Sequence, residues 1–400
     1  MSRDLSSVLL VSHAGVNLAI FRRALISRLL AEGVRVTCAV PEDRYAPQLR
    51  TMGADVRHYG LARGSLSPTG MFRAARSLGD AVRAVAPDLI HSFTHQPNIT
   101  ARLAAGRDYL VINSVTGLGS MFLGRSASGA LKRGLMRQAY RRTASRCRAM
   151  VFQNPDDLSF FRDHGMLGEC RAVMVRGTGV NVRRFTPDAV LHDEVRALRK
   201  GLGIATDSTE STGAVVVTLA GRLLRDKGVA EFLAAADMLA GRFPEAVFLL
   251  VGEPDPGNPS DLGPAVMEAA RSRPHIKAPG WIDDMARVWA ASDVAVLPSY
   301  REGLPVTMQE ALACGLPVVT TDAPGCREVV NQGVNGFLVP TRDAGALADA
   351  LALLLADEDL RRTMGRAGRD KAVAEFDADA LAGQMLSLYR NLTTGTEVGP

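Results

Sequence analysis

Glu302-Gly303-Leu304-Pro305-Val306-Thr307-Met308-Gln309-Glu310 follows an apolar run, Val294-Ala295-Val296-Leu297, that stops at Pro298. The run reads as a strand. The residues after Pro305 read as a helix whose first turn tolerates proline, because an N–H there has no intrahelical partner to lose. A strand that feeds a helix through a short loop is one unit of a parallel α/β sheet. The free N–H groups of such a helix start attract an anion. Glu302 then sits on the loop beside that anion, and Glu310, eight positions on, sits inside the helix. Glutamate is common, so the spacing alone carries little, and its setting carries more.

The setting is a basic loop about 75 residues upstream. Ala214-Val215-Val216-Val217-Thr218-Leu219-Ala220 reads as a strand, followed by Gly221-Arg222-Leu223-Leu224-Arg225-Asp226-Lys227-Gly228 and an apolar helix from Val229. That order places two cations at the carboxyl edge of a sheet, where open α/β folds bind ligands. Arg222 can grip phosphate oxygens bidentately, and Lys227 supplies a point charge. Together with the glutamates, and with Gly303 and Leu304 on the loop, they suit a nucleotide sugar: cations for the diphosphate, acids for the hydroxyls.

These motifs, Gly221-Arg222…Lys227-Gly228, Glu302…Glu310 and Asp322-Ala323-Pro324-Gly325-Cys326-Arg327-Glu328, resemble those of retaining glycosyltransferases of the GT-B fold, family 4. Asp88-Leu89-Ile90-His91-Ser92-Phe93-Thr94-His95-Gln96-Pro97-Asn98 and Asn113-Ser114-Val115-Thr116-Gly117-Leu118-Gly119 are similar to one bacterial subgroup, which extends undecaprenyl-diphosphate-linked sugars, the type that adds N-acetylgalactosamine to bacillosamine. The likeness runs from about residue 8 to 390. It implies two Rossmann-like domains, a nucleotide-sugar donor that is UDP-linked and carries an N-acetylhexosamine, and retention of configuration. It implies Glu302, Arg222 and Lys227 in catalysis, with one histidine touching the transferred sugar. His95, next to Gln96-Pro97, matches that position better than His91. The acceptor is then a lipid-linked saccharide of glycan, capsule or O-antigen synthesis. Neither metal nor other cofactor is implied. An epimerase or phosphorylase on the same architecture, a transferase with a non-lipid acceptor, and an idle glycan-binding scaffold are the rival readings.

Both halves alternate strand and helix. Strands are expected near 7–12, 34–40, 55–59, 88–93, 110–114, 148–153 and 171–175, then near 214–220, 246–251, 275–277, 293–297, 317–320 and 336–339. In the first half helices are expected near 17–31, 44–52, 69–85, 97–105, 128–144 and 155–163. The domains expected are 1–180 for the acceptor and 191–377 for the donor, with 378–400 a returning helix and tail. Residues 201–213 read as a surface loop and 393–400 as a loose end.

Composition fits two globular domains: 400 residues, 47% apolar, with 38 Gly and 20 Pro. The five cysteines lack metal spacing and suit a reducing compartment. The start has no signal-peptide layout and no stretch approaches the ~20 apolar residues of a membrane span, so a cytoplasmic protein is expected. Charge is divided unevenly. Residues 1–190 carry 27 Lys and Arg against 13 Asp and Glu, whereas 191–400 carry 20 against 29. No acid lies between Tyr109 and Pro155, where Arg125, Lys132, Arg133, Arg137 and Arg141 alternate with Met121, Phe122, Leu123, Leu131 and Leu135. A basic amphipathic helix of this kind reads either as an element lying on anionic lipid, here the inner leaflet of the cytoplasmic membrane, or as a packed helix with a solvated face. No nucleic-acid-binding pattern accompanies it.

Other candidates have two readings each. Gly15, after the first strand, offers backbone N–H to a phosphate or makes a plain βα turn. Trp281 borders the nucleotide base or packs on the sheet edge, and Glu253 lines the same cleft. Asp357-x-Asp359 and Asp377-x-Asp379 have metal-ligand spacing but stand at helix starts, where acids stabilise the dipole. Gly177-Thr178-Gly179 and Gly117-Leu118-Gly119 lack the remaining glycine and acid of a dinucleotide fingerprint.

Overall fold

In the computed structural model, residues 4–62, 64, 67–119, 127–204 and 213–395 are described. Two compact units emerge: residues 1–178 with 378–400, and residues 179–377.

The first unit alternates β1 (Ser7–Val11), α1 (Gly15–Ala19), α2 (Arg23–Ala31), β2 (Arg35–Val40), α3 (Ala46–Thr51), β3 (Asp55–His58), α4 (Pro68–Val85), β4 (Leu89–Phe93), α5 (His95–Ala105), β5 (Leu110–Val115), α6 (Ala127–Thr143), β6 (Ala149–Phe152), α7 (Pro155–Asp163) and β7 (Arg171–Met174). Its sheet is parallel, in the order β3-β2-β1-β4-β5-β6-β7. The second unit runs α8 (His192–Gly201), β8 (Val216–Ala220), α9 (Val229–Ala240), β9 (Val247–Val251), α10 (Ala265–Arg271), β10 (Ile276–Gly280), α11 (Met285–Ala290), β11 (Val294–Leu297), α12 (Val306–Ala313), β12 (Val318–Thr321), β13 (Gly336–Val339), α13 (Ala344–Ala356) and α14 (Glu358–Glu375). Its sheet is parallel too, in the order β10-β9-β8-β11-β12-β13. The last helix, α15 (Ala378–Thr394), packs on α2 in the first unit through Leu381, Met385 and Leu388. The central strands are buried along their whole length because helices cover both faces of a parallel sheet.

Each sheet reverses its winding once, between β1 and β4 and between β8 and β11. One device fixes both seams. Asp88, just before β4, accepts hydrogen bonds from the backbone N–H groups of Ser6 (3.0 Å) and Ser7 (2.9 Å) and from both hydroxyls. Burial pushes its carboxyl up, and the hydrogen bonds outweigh that and leave it below the usual value. Asp293, just before β11, accepts from the Val216 N–H at 2.7 Å and from the Arg199 guanidinium at 3.0 Å.

Several sequence-based bounds shift. The helix expected over 17–31 is two helices, α1 and α2, and the break at Ile20 to Arg22 lays the Arg22 guanidinium over the Phe93 ring at 4.4 Å. Helix α5 starts at His95, so Pro97 falls in its first turn, where the missing N–H costs nothing. Residues 179–190, which span the expected boundary, belong to the second unit, and Val180, Val182 and Phe185 are buried in its core. Helix α15 continues to Thr394, where a loose end was expected. Met121, Phe122, Leu123, Arg125, residues 205–212 and residues 396–400 lie outside the described residues.

Gly228 precedes α9 with φ +72, and a Cβ there would run into the Pro298 carbonyl oxygen. Gly333 has φ +74 and open space around it. Both Gly228→Ala and Gly333→Ala incur the left-handed penalty of ~1–2 kcal/mol, so denaturant unfolding should show Gly228→Ala as clearly the more damaging. Equal losses would mean that the loop yields.

Candidate active site

The β8/β11 seam brings together the loops that the sequence singled out. Gly221 donates its N–H to Val251, Leu223 to Glu253 and Gly252 to Gly280, so the ends of β8, β9 and β10 are stitched side by side. Tyr300 donates its N–H to Asp226, which ties the basic loop to the loop after β11. In consequence Lys227 Nζ lies 2.5 Å from Glu302 Oε1, across 75 residues of sequence. Both side chains are largely buried, at 20% and 14% exposure. Ser299 Oγ also donates to Glu302 Oε1 at 2.7 Å. Arg222 is half exposed and paired with Asp255 Oδ2 at 2.6 Å.

Pro305 is the residue before α12 rather than inside it, and no side chain caps that helix. Its first turn therefore presents backbone N–H groups as anion donors at the end of β11. Gly303 and Leu304 form the buried approach to it. Glu310 lies a full turn deeper and accepts from Trp289 Nε1 at 3.2 Å. Burial pushes its carboxyl up to about 7, against the opposing effects of Trp289 and the Arg184 charge. Glu253 is exposed beside the Gly280 turn. Trp281 is 57% exposed and donates its Nε1 to Asp283 at 2.8 Å.

Within the first unit the corresponding seam lies between the loops after β1 and β4. His13 Nδ1 meets Thr94 Oγ1 at 2.9 Å across it. The Gly15 N–H is taken up by Asp43 Oδ2 at 2.6 Å, so the structure gives it to a carboxylate where sequence reading offered it to a phosphate. His95 has both ring nitrogens engaged, Nδ1 with the Tyr140 hydroxyl at 3.0 Å and Nε2 with the Leu118 carbonyl at 3.3 Å. Burial lowers its pKa to about 4, so it is neutral at pH 7. His91 is fully buried between Tyr389 and Ser114. On α6, Met136 and Tyr140 face the core, while Leu131 and Leu135 are 67% and 49% exposed beside Lys132, Arg133 and Arg137. Arg141 donates its Nε to the His164 carbonyl at 2.7 Å.

The model of the family described as glycosyl transferases group 1 matches residues 205–371, and that of the glycosyl transferase 4-like domain matches 18–190. The N,N'-diacetylbacillosaminyl-diphospho-undecaprenol alpha-1,3-N-acetylgalactosaminyltransferase of Campylobacter jejuni is 30% identical over 381 residues, 95% of this chain and 97% of the relative. The chain belongs to the group 1 glycosyltransferases. A D-inositol 3-phosphate glycosyltransferase of Corynebacterium urealyticum is 33% identical over 228 residues, 56% of this chain and 52% of its own. Among solved structures, a Rickettsia africae glycosyltransferase superposes with TM-score 0.80 at 17% identity, covering 98% of this chain and 100% of that one. Anabaena HepE in complex with UDP and glucose gives 0.77 at 18% identity, covering 96% and 98%. The fold of this glycosyltransferase is GT-B.

Sequence reading missed Ser299, Asp255, Trp289, His13 and Thr94. Ser299 and Asp255 are ordinary loop residues until the seam brings them to Glu302 and Arg222. Trp289 looks like core, as it is, and only its Nε1 reaches the site. Thr94 adopts φ 75, rare for a residue with a Cβ. Asp357 caps α14 through the Leu360 N–H at 2.8 Å.

Glu310 makes stability depend on pH. The native state keeps its proton up to about pH 7, whereas the unfolded chain releases it near 4.5. The native state therefore binds more protons in that window, and its contribution to stability declines as pH rises through it. Glu310→Gln mimics the neutral acid. Its melting temperature should match that of the unaltered enzyme at pH 5 and exceed it at pH 8, and a gain independent of pH would contradict this account.

Proposed function

We propose that this enzyme transfers an N-acetylhexosamine from a UDP-linked donor to a lipid-linked saccharide with retention of configuration, at the membrane surface where bacterial glycans are built. The observation that carries this reading is the convergence of Arg222, Lys227, the uncapped first turn of α12 and two carboxylates at one sheet seam. The donor diphosphate takes over cations that carboxylates hold in its absence: Arg222 leaves Asp255, and Lys227 is shared with Glu302. Two fixed cations and a helix start then stabilise the charge that grows on the departing diphosphate. They supply what a metal supplies elsewhere, so no metal takes part. Glu302, steadied by Ser299 and Lys227, holds sugar hydroxyls beside the developing oxocarbenium ion. Glu310 accepts the ribose hydroxyls, and ligand hydrogen bonds favour its ionised form. The acceptor attacks on the face from which the diphosphate leaves. His95, neutral at pH 7, serves as a hydrogen-bond partner to the sugar and not as an acid. Gly303 and Leu304 shape the phosphate turn, and Trp281 and Glu253 border the base.

The lipid acceptor is supported by the activity for which the Campylobacter relative is named, a relative that matches nearly end to end. No helix among the described residues is long and apolar enough to cross a membrane. The two exposed leucines of α6, set among its cations, support an interfacial helix on the cytoplasmic leaflet.

Arg222→Ala and Glu310→Gln should each lower turnover by at least ~10²-fold, the scale of one transition-state donor or positioning contact. EDTA should leave turnover within about twofold, and abolition with rescue by Mn²⁺ would replace the cation mechanism.

Replacing Lys132, Arg133 and Arg137 with Gln should remove up to ~3 kcal/mol of attraction to anionic vesicles, at ~1 kcal/mol per cation. Activity on a polyprenyl acceptor in vesicles should drop while activity on a short soluble acceptor persists. Equal loss on both acceptors would place these residues in the acceptor pocket instead.

A further inference from the structure

The first unit holds a recess of its own. It opens where β4 to β7 end, against the start of α15, and every residue lining it belongs to that unit. Arg22, Phe93, Ser114, Gln153 and Thr178 form its polar and aromatic wall, and among the described residues no carboxylate lines it. It encloses about 30 Å³, room for a few waters or the tip of one oxyanion, and too little for a sugar or a nucleotide.

Three donor-bearing side chains belong to its wall. The Arg22 guanidinium stacks over Phe93 and makes one hydrogen bond, Nη1 to the Phe21 carbonyl at 3.1 Å. Burial pulls its pKa down to about 10, the mark of a cation that lacks a counter-charge. Thr178 Oγ1 is buried with no hydrogen-bond partner. Ser114 is the end of a relay. His91 Nε2 lies 2.8 Å from Ser114 Oγ, and His91 Nδ1 meets the Tyr389 hydroxyl. Tyr389 is fully buried and its hydroxyl has no second partner among the described residues, so its O–H donates to Nδ1. The neutral ring then carries its proton on Nε2 and donates it to Ser114 Oγ, which leaves the serine hydrogen for the recess. A guanidinium and two hydroxyls without an acceptor are the complement of an oxyanion.

We propose that the Arg22 recess binds one phosphoryl group of an anionic ligand, with Arg22, Ser114 and Thr178 as donors. Its further assignment, to the phosphoryl group of the lipid-linked acceptor, rests on the function proposed above; the oxyanion site does not.

The test has two arms. In the full chain carrying Arg222→Ala and Lys227→Ala, which removes the competing cations of the donor site, inorganic pyrophosphate is titrated by calorimetry. Adding Arg22→Gln should weaken binding at least tenfold, and adding Thr178→Val about threefold. Thr178→Val should also leave the ligand-free melting temperature unchanged or higher, since it removes an unpaired buried hydroxyl. This keeps the site testable if Arg22→Gln folds poorly. Pyrophosphate affinity indifferent to both substitutions would overturn the site. In the second arm, Arg22→Gln and Thr178→Val are made in the otherwise unaltered enzyme, and KM should rise for the polyprenyl-diphosphate acceptor and stay fixed for the nucleotide sugar. Loss of pyrophosphate binding with acceptor KM unchanged would make the recess a site for a free oxyanion and overturn the acceptor assignment. Failure of the proposed function would appear separately, as absent transfer by the unaltered enzyme, with the first arm unaffected.

Discussion

The Asp293 carboxylate, by accepting the Val216 N–H, ties β8 to the start of β11, and the candidate site follows from that pairing. Two strands far apart in sequence become neighbours, so the loops that leave them diverge and their polar ends face one another. Lys227 reaches Glu302 because of this pairing, and α12 points its first turn at the same spot. Asp88 performs the same task for β1 and β4 in the first unit. A carboxylate that satisfies backbone donors on the neighbouring strand is a specific lock, since a slipped register would leave those donors buried and unpaired.

The site stores its chemistry at a cost in stability. Glu310 is held where burial favours its neutral form, although a carboxylate is the better acceptor for ligand hydroxyls. Arg22 is held without a carboxylate partner. Arg222 and Lys227 are paired with acids that a phosphate can replace. On the proposed function, the ligands would complete or exchange these interactions.

The two sheets differ in how much of their logic was legible. In the second unit, glycines, cations and Glu302 stand at loop positions that suggest a phosphate site, and every expected strand is present within a few residues. In the first unit, the histidines that sequence reading picked out are engaged within the unit itself, while Arg22, which it passed over, faces a recess. The helix expected over 17–31 hid this, because a continuous helix gives no reason for Arg22 to turn inward.

The sequence by itself determined the alternation of strands and helices, the parallel sheets and the presence of a cationic loop with two glutamates. Hydrophobic periodicity and turn residues act over a few positions, and that is the range at which a sequence can be read. The tertiary structure decided which loops meet. It paired Arg222 with Asp255 and Glu302 with Lys227 and Ser299, took the Gly15 N–H for Asp43, and brought Tyr389 from the far end of the chain to His91. Such contacts depend on strand order, which is fixed by burial and backbone pairing summed over a whole unit and is not written in any one segment.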